Sequence, residues 1–236
     1  MNEAVAAMAR TAGLSPDDLE MLRTIPIFQG FADTQWLKLL PIMRVRSYSR
    51  NQIIYSQGDV ADYIYIVLQG WMRIFRSLPD GNEVTVNLFT TGESLAEAAI
   101  FAGDTYPVSG GTVEDSRLLL VSATGLRSLL GNDPKLALNM LASMSQKLHF
   151  LVRQLEQVSN RTARQRVAAF LLTLAEKQKT STIRLPIDKH LIAGRLGMQP
   201  ETFSRALTKL RADGVSTRGG MVHLADINRI RHVVNA

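Results

Sequence analysis

Residues 185–210 read LPIDKHLIAGRLGMQPETFSRALTKL, and this stretch decides the fold of the C-terminal part of the chain. Asp188 can cap a helix whose apolar residues Leu191, Ile192 and Leu196 recur at helical spacing, and Gly197 permits the sharp turn that ends it. Pro200 suits the first turn of a second helix, where its missing amide donor costs nothing. Phe203, Ala206, Leu207 and Leu210 (i, i+3, i+4, i+7) form the face that this helix buries. Glu201, Ser204, Arg205, Thr208 and Lys209 are left pointing outward. The pattern predicts a helix-turn-helix whose second helix is wide enough to fill a B-DNA major groove.

The side chains on that outward face suit base reading. Arg205 can donate a bidentate pair of hydrogen bonds to guanine O6 and N7, Glu201 can accept from a cytosine amino group, and Ser204 adapts to either. Each good pair is worth about 1–3 kcal/mol of base discrimination. The plainer alternative is an i,i+4 surface ion pair between Glu201 and Arg205, which contributes only about 0.3–0.5 kcal/mol. The sequence that follows favours base reading: Arg211-Ala-Asp-Gly214 ends the helix, and Val215 to Leu224, with Gly219-Gly220 at its centre, reads as the β-hairpin of a wing.

Charge divides the chain in the same way. Residues 161–236 carry 14 Lys/Arg against 5 Asp/Glu, while residues 1–160 carry 13 against 16, so the chain's +6 is concentrated in the half with the helix-turn-helix. Such a surface neutralises phosphates and releases counterions, giving sequence-independent affinity that falls steeply with salt. Arg161, Arg164, Arg166, Lys189, Arg195 and Arg218 are candidates for that role. Gln199, Thr202 and Lys209 join Arg195 and Arg218 as expected DNA-backbone contacts beside the base-reading trio.

At 236 residues and 46% hydrophobic, the chain can bury one large or two modest cores. No apolar run approaches the roughly 18–20 residues that span a bilayer. Glu3, with no basic start before an apolar block, makes a poor export signal, so a cytoplasmic location and no membrane partner are the default expectation. The chain has no cysteine. Disulfides, cysteine-held iron–sulfur clusters, thiolate haem ligands and thiol switches are therefore excluded.

Ahead of the helix-turn-helix, residues 1–24 read as a helical extension, with Ser15-Pro16-Asp17-Asp18 starting a capped helix before Leu19 and Leu22. Thr34 to Met43 reads as a short amphipathic helix. From Val45 to Val121 short apolar runs alternate with turns. Ile53–Tyr55, Tyr63–Leu68, Trp71–Phe75, Val84–Phe89 and Arg117–Val121 are the clearest strands. Their breaks fall at Gly58-Asp59, Gly70, Pro79-Asp80-Gly81 and Gly92, where positive φ or close backbone approach is expected. So many short strands predict a β-roll or jelly roll over residues 25–133.

A long helix follows over 134–160. Leu141, Met144, Leu148, Leu151, Leu155 and Val158 repeat at 3–4 spacing, the stripe of a coiled-coil seam, and predict a parallel homodimer. The alternative is that the stripe packs on the chain's own β-domain. A dimer is favoured because a two-headed helix-turn-helix protein needs two half-sites about one DNA turn apart. Residues 161–236 then form the winged helix-turn-helix, and the fold class is α+β.

Gly58-Asp59-x-Ala61-Asp62-x-x-Tyr65-x-Val67-x-x-Gly70, the Gly92-Glu93 turn, the long helix and Glu201-Thr202-Phe203-Ser204-Arg205 together resemble the Crp/Fnr superfamily of bacterial transcription regulators, over about residues 25–225. The resemblance implies an N-terminal cyclic-nucleotide-binding-type β-roll, a dimerisation helix, a C-terminal winged helix and RNA polymerase as a partner. Glu201, Ser204 and Arg205 match the Fnr-type pattern Glu-x-x-Ser-Arg, which implies an operator of the TTGAT-N4-ATCAA type.

The resemblance also implies an effector site, and there the chain departs from the cAMP-binding pattern of the family. That pattern is Gly-Glu-Leu followed by an Arg-Ser pair that holds the cyclic phosphate. Here the stretch is Ala96-Glu97-Ala98-Ala99-Ile100-Phe101, and Tyr106-Pro107 stands where Arg-Ser is expected. A buried phosphate without a cationic partner loses a charge-assisted bidentate pair, which argues against cAMP. Leu151-Val152 replace the polar pair expected to meet adenine, so Glu97, Tyr106, Pro107, Leu148, Leu151 and Val152 describe an apolar effector pocket. The Ala-Glu-Ala-x-x-Phe and Tyr-Pro-Val runs resemble the Dnr/NnrR branch of nitrogen-oxide regulators, which implies nitric oxide sensing through haem. Of the four histidines, His149 is the candidate axial ligand, against the simpler reading of a helix-surface residue.

No glycine-rich nucleotide loop, Gly-x-Ser-x-Gly elbow or paired histidines at metal spacing occur, so neither an enzyme nor a dedicated metal site is expected. Glu93 and Glu97 read as structural or ligand-contacting residues rather than as an acid/base pair. Two regulator readings stand beside the haem one: a cAMP-responsive protein, and a constitutive repressor with a vestigial sensor. The expected mechanism is a homodimeric switch in which an effector in the roll favours one packing of the dimer helices and so reorients the two winged helices.

Overall fold

The computed structural model describes residues 2–78, 81–142, 144, 145, 148, 161–185 and 189–235. The chain divides into two compact units, Met1–Leu151 and Val152–Ala236.

Unit 1 opens with α1 (Glu3–Thr11), α2 (Pro16–Thr24) and α3 (Asp33–Leu39). The start of α2 is a reciprocal capping box: Asp18 N–H donates to Ser15 Oγ at 3.1 Å, and Ser15 N–H donates to Asp18 Oδ2 at 2.9 Å. The strands are β1 (Met43–Tyr48), β2 (Ile53–Tyr55), β3 (Tyr63–Gln69), β4 (Trp71–Ser77), β5 (Glu83–Thr90), β6 (Ser94–Leu95), β7 (Ser109–Thr112) and β8 (Ser116–Ser122). The short helix α4 (Glu97–Ala102) interrupts them, and α5 (Ala123–Asn132) and α6 (134–142) follow. Two four-stranded antiparallel sheets result, ordered β1-β8-β3-β6 and β2-β7-β4-β5. Chain neighbours β3 and β4, like β7 and β8, lie in different sheets, which is the roll that the strand spacing predicts. Gly58, Gly70, Gly81 and Gly92 have φ between +77° and +90°, as the turn signals require.

The helix expected over Thr34–Met43 ends early. It becomes a 3-10 turn at Leu40–Ile42, because Pro41 has no N–H to continue the α-helical ladder, and Met43 already belongs to β1. The first two helices share the core of the roll. Val5, Ala9, Leu14, Leu19 and Leu22 are buried in one cluster with Ile64, Ile66, Leu118 and Val121. Val45 N–H donates to the Ala12 carbonyl at 2.9 Å, and Arg117 on β8 pairs with Asp18 on α2 at 3.0 Å.

Asp133 caps α6 by accepting from Leu136 N–H at 3.1 Å and also pairs with Lys38 of α3 at 2.6 Å. Leu136 and Met140 face the core, whereas Leu138, Leu141, Met144 and Leu148 are exposed. Within the expected seam Leu141, Met144 and Leu148 are thus uncovered, while Leu151, Leu155 and Val158 lie outside the described residues.

Unit 2 contains α7 (Ala163–Gln178), β9 (Thr182–Arg184), α8 (Lys189–Arg195), α9 (Pro200–Lys209), a 3-10 turn (Leu210–Asp213), β10 (Val215–Arg218), β11 (Met221–Leu224) and α10 (Ile227–Asn235). Thr162 and Gln165 cap α7 reciprocally, and α9 and α10 both pack on it around Val167, Leu171, Phe203, Leu210 and Ile230. The expected hairpin is present, and β9 adds a third strand to it in the order β10-β11-β9. Asp188, the expected cap of α8, lies outside the described residues. Among the described residues no helix is long and apolar enough to cross a membrane.

Candidate nucleic-acid interface and effector pocket

The turn between α8 and α9 is set by Gly197. Its φ is +59°, a region where side chains other than glycine are strained, and it lets the chain reverse before Pro200 begins α9. Phe203, Ala206 and Leu210 are then buried at 4% exposure or less, and Leu207 is half-buried. The opposite face of α9 presents exposed Glu201, Arg205, Thr208 and Lys209 with half-buried Thr202 and Ser204. Thr208 is turned back on the helix, its hydroxyl donating to the Ser204 carbonyl at 3.0 Å. Among the described residues no ion pair joins Glu201 to Arg205. Both functional groups remain available to a ligand in the groove.

Around α9, Gln199 is the exposed residue preceding the helix and makes no side-chain cap bond, and Arg218 is exposed at the end of β10. Arg195 is half-buried, with its guanidinium 5.8 Å from the Phe170 ring centroid, so it packs as well as carrying charge. Arg164, a candidate phosphate contact, also has a partner within the chain. Its Nη2 pairs with Asp213 Oδ2 at 2.6 Å, joining the first turn of α7 to the turn after α9. Charge count identified the cation but not its partner, which is 49 residues away.

In unit 1, Glu97 is half-buried as the first residue of α4, Tyr106 is 3% exposed and Pro107 is exposed. The Tyr106 hydroxyl donates to the Tyr63 carbonyl at 2.9 Å and accepts from the Tyr63 N–H at 3.1 Å. Its ring stacks on Tyr55, and Tyr55 stacks on Tyr65 with 5.3 Å between centroids. Burial pushes the Tyr55 hydroxyl upward in pKa, and neighbouring Tyr106 and Glu97 add to the shift. Burial likewise raises Tyr65, helped by its hydrogen bond to Tyr106. Burial also raises Tyr106, outweighing the bonds from Tyr63 and Tyr65. These tyrosines are neutral phenols across the physiological range.

Gly110 on β7 is what admits the Tyr55 ring, since a Cβ there would lie 2.3 Å from Tyr55 Cζ. The sequence places Tyr55 and Tyr65 on strands but does not signal that they stack beside Tyr106, although Tyr63 and Tyr65 alternate on one strand and glycine stands at 110. Leu148 is exposed, and Leu151, Val152 and His149 lie outside the described residues. The pocket residues that can be placed are therefore Glu97, Tyr106, Pro107 and Leu148. Among the described residues no group of three or more His, Asp or Glu side chains could hold a metal ion.

Two domain families match the chain: the cyclic nucleotide-binding domain over residues 45–133 and the Crp-like helix-turn-helix domain over 165–233. The cyclic AMP receptor protein of Thermus thermophilus is 30% identical over 194 residues, covering 82% of this chain and 89% of that protein. A solved regulatory protein of Silicibacter pomeroyi DSS-3, to which cAMP binding has been ascribed, is 35% identical. It covers 94% of this chain and 100% of its own, with a TM-score of 0.86. The crystal structure of DNR from Pseudomonas aeruginosa is 30% identical, covers 91% of this chain and 96% of its own, and has a TM-score of 0.56.

Proposed function

The chain belongs to the Crp/Fnr family of DNA-binding transcription regulators, with an effector-binding domain of the cyclic-nucleotide type, and from that premise we propose that it reads an Fnr-like palindromic operator of the TTGAT-N4-ATCAA type as a homodimer. The observation that carries this reading is the outward face of α9. Glu201, Ser204 and Arg205 stand on it with no ion pair between Glu201 and Arg205, backed by a buried Phe203–Ala206–Leu210 face. Gln199, Thr202, Lys209, Arg218 and, in part, Arg195 are the phosphate contacts that hold the helix in register. The exposed stripe Leu138, Leu141, Met144 and Leu148 supports the dimer, because a second copy of the same stripe would cover it. RNA polymerase is the partner at the promoter, the cytoplasm is the place of action, and no catalysis is ascribed to the chain.

Fluorescence anisotropy with the palindrome and with a half-site-scrambled duplex tests the operator. Preference for the palindrome by about a thousandfold or more at fixed salt is the expected result. Equal affinity for both duplexes overturns it.

For the effector, the absence of a cation at Tyr106-Pro107 supports the Dnr/NnrR branch over a cAMP response; similarity alone does not choose, since DNR and the cyclic AMP receptor protein of Thermus thermophilus are both 30% identical to this chain. Of the four placed pocket residues, Pro107 and Leu148 carry no ligating group and the Tyr106 hydroxyl is committed to Tyr63, which supports His149, a neutral imidazole donor, over Tyr106 as the axial ligand that haem would take. Absorption titration with haem and then nitric oxide, beside a His149→Ala variant, decides. A Soret band at one haem per chain that is lost in the variant supports the assignment, and no stoichiometric band removes it.

A further inference from the structure

Unit 2 holds a cleft of about 530 Å³ between the first turn of α7, the 3-10 turn after α9 and α10, lined by Thr162, Arg164, Gln165, Asp213, Arg229 and His232 with apolar Val233. The volume falls within the range of roughly 300–1,000 Å³ typical of small-molecule sites. Its chemistry is one-sided. Two guanidinium groups and an imidazole meet a single carboxylate, and that carboxylate, Asp213, is buried and already paired with Arg164 at 2.6 Å. The Nε of Arg164 is buried with no hydrogen-bond partner. Arg229 uses one nitrogen, Nη2, to donate to the Ala212 carbonyl at 2.8 Å. Gln165 uses its Oε1 to accept from the Thr162 N–H at 2.8 Å and hydroxyl at 2.9 Å, which leaves its amide nitrogen as a donor. The polar groups of the cleft are donors around one neutralised acid, a set that favours an anion.

We propose that this cleft binds a small phosphate-bearing anion and that its occupancy tunes operator binding. Concavity separates this ligand from the DNA backbone: a duplex phosphate meets side chains at a rim, whereas Arg164 and Arg229 here line a recess of about 530 Å³. The link to DNA reading is covalent and short. Ala212 and Asp213, which Arg229 and Arg164 hold, belong to the 3-10 turn that continues directly from α9. An anion that draws on either arginine alters the restraint on the end of the recognition helix.

Calorimetry on the full chain, with inorganic phosphate and pyrophosphate as probes at constant ionic strength, tests the site. Saturable binding near one probe per chain is expected, weakened tenfold or more in Arg229→Gln and in Arg164→Gln. Arg164→Gln also frees Asp213, so the surface variant Arg229→Gln, checked by thermal melting, keeps the result independent of folding. Operator affinity is expected to shift with pyrophosphate in the wild type and not in Arg229→Gln. No saturable binding, or binding unchanged in both variants, overturns the proposal. A third result also overturns it: if Arg229→Gln lowers the salt slope for operator DNA by about one while neither probe binds, the cleft takes a DNA phosphate instead.

Discussion

The ring of Tyr106 lies 3.9 Å, centroid to centroid, from that of Tyr55, with 23° between their planes. That spacing is full aromatic contact and leaves no gap for a base to enter between the rings. The Tyr106 hydroxyl meanwhile serves both the N–H and the carbonyl of Tyr63. Tyr106→Phe is therefore expected to cost about 1–3 kcal/mol, because a part-buried main-chain N–H and carbonyl lose their partner. Tyr106→Ala is expected to cost about 3–5 kcal/mol through the cavity it opens. Urea unfolding of the variants measures both. Calorimetry of the wild-type protein with cAMP is expected to show no saturable binding, and a saturable isotherm counts against the effector reading.

Arg205 and Arg218 are expected to fail differently. Arg205→Ala removes a base contact, so preference at one position of each half-site falls by about 1–3 kcal/mol. Arg218→Ala at the exposed end of β10 removes a phosphate contact, so all sequences weaken alike and the salt slope falls by about one. Arg218 is a cleaner probe than Arg195, whose guanidinium also packs against Phe170. Anisotropy over a panel of single-base operator variants separates the two patterns. Unchanged selectivity in Arg205→Ala places the base-reading register elsewhere on α9.

The recognition helix was legible because its information is local. The i, i+3, i+4, i+7 spacing of Phe203, Ala206, Leu207 and Leu210 fixes which face is buried, and hence which side chains point out. Strands β3, β4 and β8 were legible for the same reason, as apolar runs bounded by glycine turns. What escaped the reading depends on partners far apart in the chain. Three-residue β9 has no pattern of its own and exists by pairing with β11. The tyrosine stack needs β2, β3 and the segment before β7 brought together, and Gly110 signals it only once Tyr55 is known to lie above it. Residues 1–24 were recognised as helical, yet their burial against β1 and β8 rests on contacts such as Val45 to Ala12 that span the turn from helix to roll.

Gly197→Ala isolates the cost of the turn. A Cβ at this position would have only Arg166 Nη1 within 4 Å, at 3.8 Å, so packing does not forbid it. The φ of +59° does, at about 1–2 kcal/mol for a left-handed L-residue. Gly197→Asn is expected to cost less, since asparagine tolerates that region. Thermal melting checks the order, which is Gly above Asn above Ala. An alanine variant as stable as the wild type means that the turn relaxes out of the left-handed region.

Asp18 makes the roll acid-sensitive. Burial raises its carboxyl pKa, but the Ser15 N–H and the Arg117 guanidinium outweigh that effect and hold it below the ordinary value. A carboxyl whose folded pKa lies below its unfolded value of about 3.9 adds stability that is complete above the unfolded value and is lost as pH falls through the folded one. Asp18→Asn is therefore expected to unfold more easily than the wild type near neutrality, and the difference should shrink as pH drops below about 4. Urea unfolding at a series of pH values, followed by a probe in the roll, reads the difference directly. A gap that stays constant down to the acid transition means that the Asp18–Arg117 contact holds α2 on β8 by shape rather than by charge.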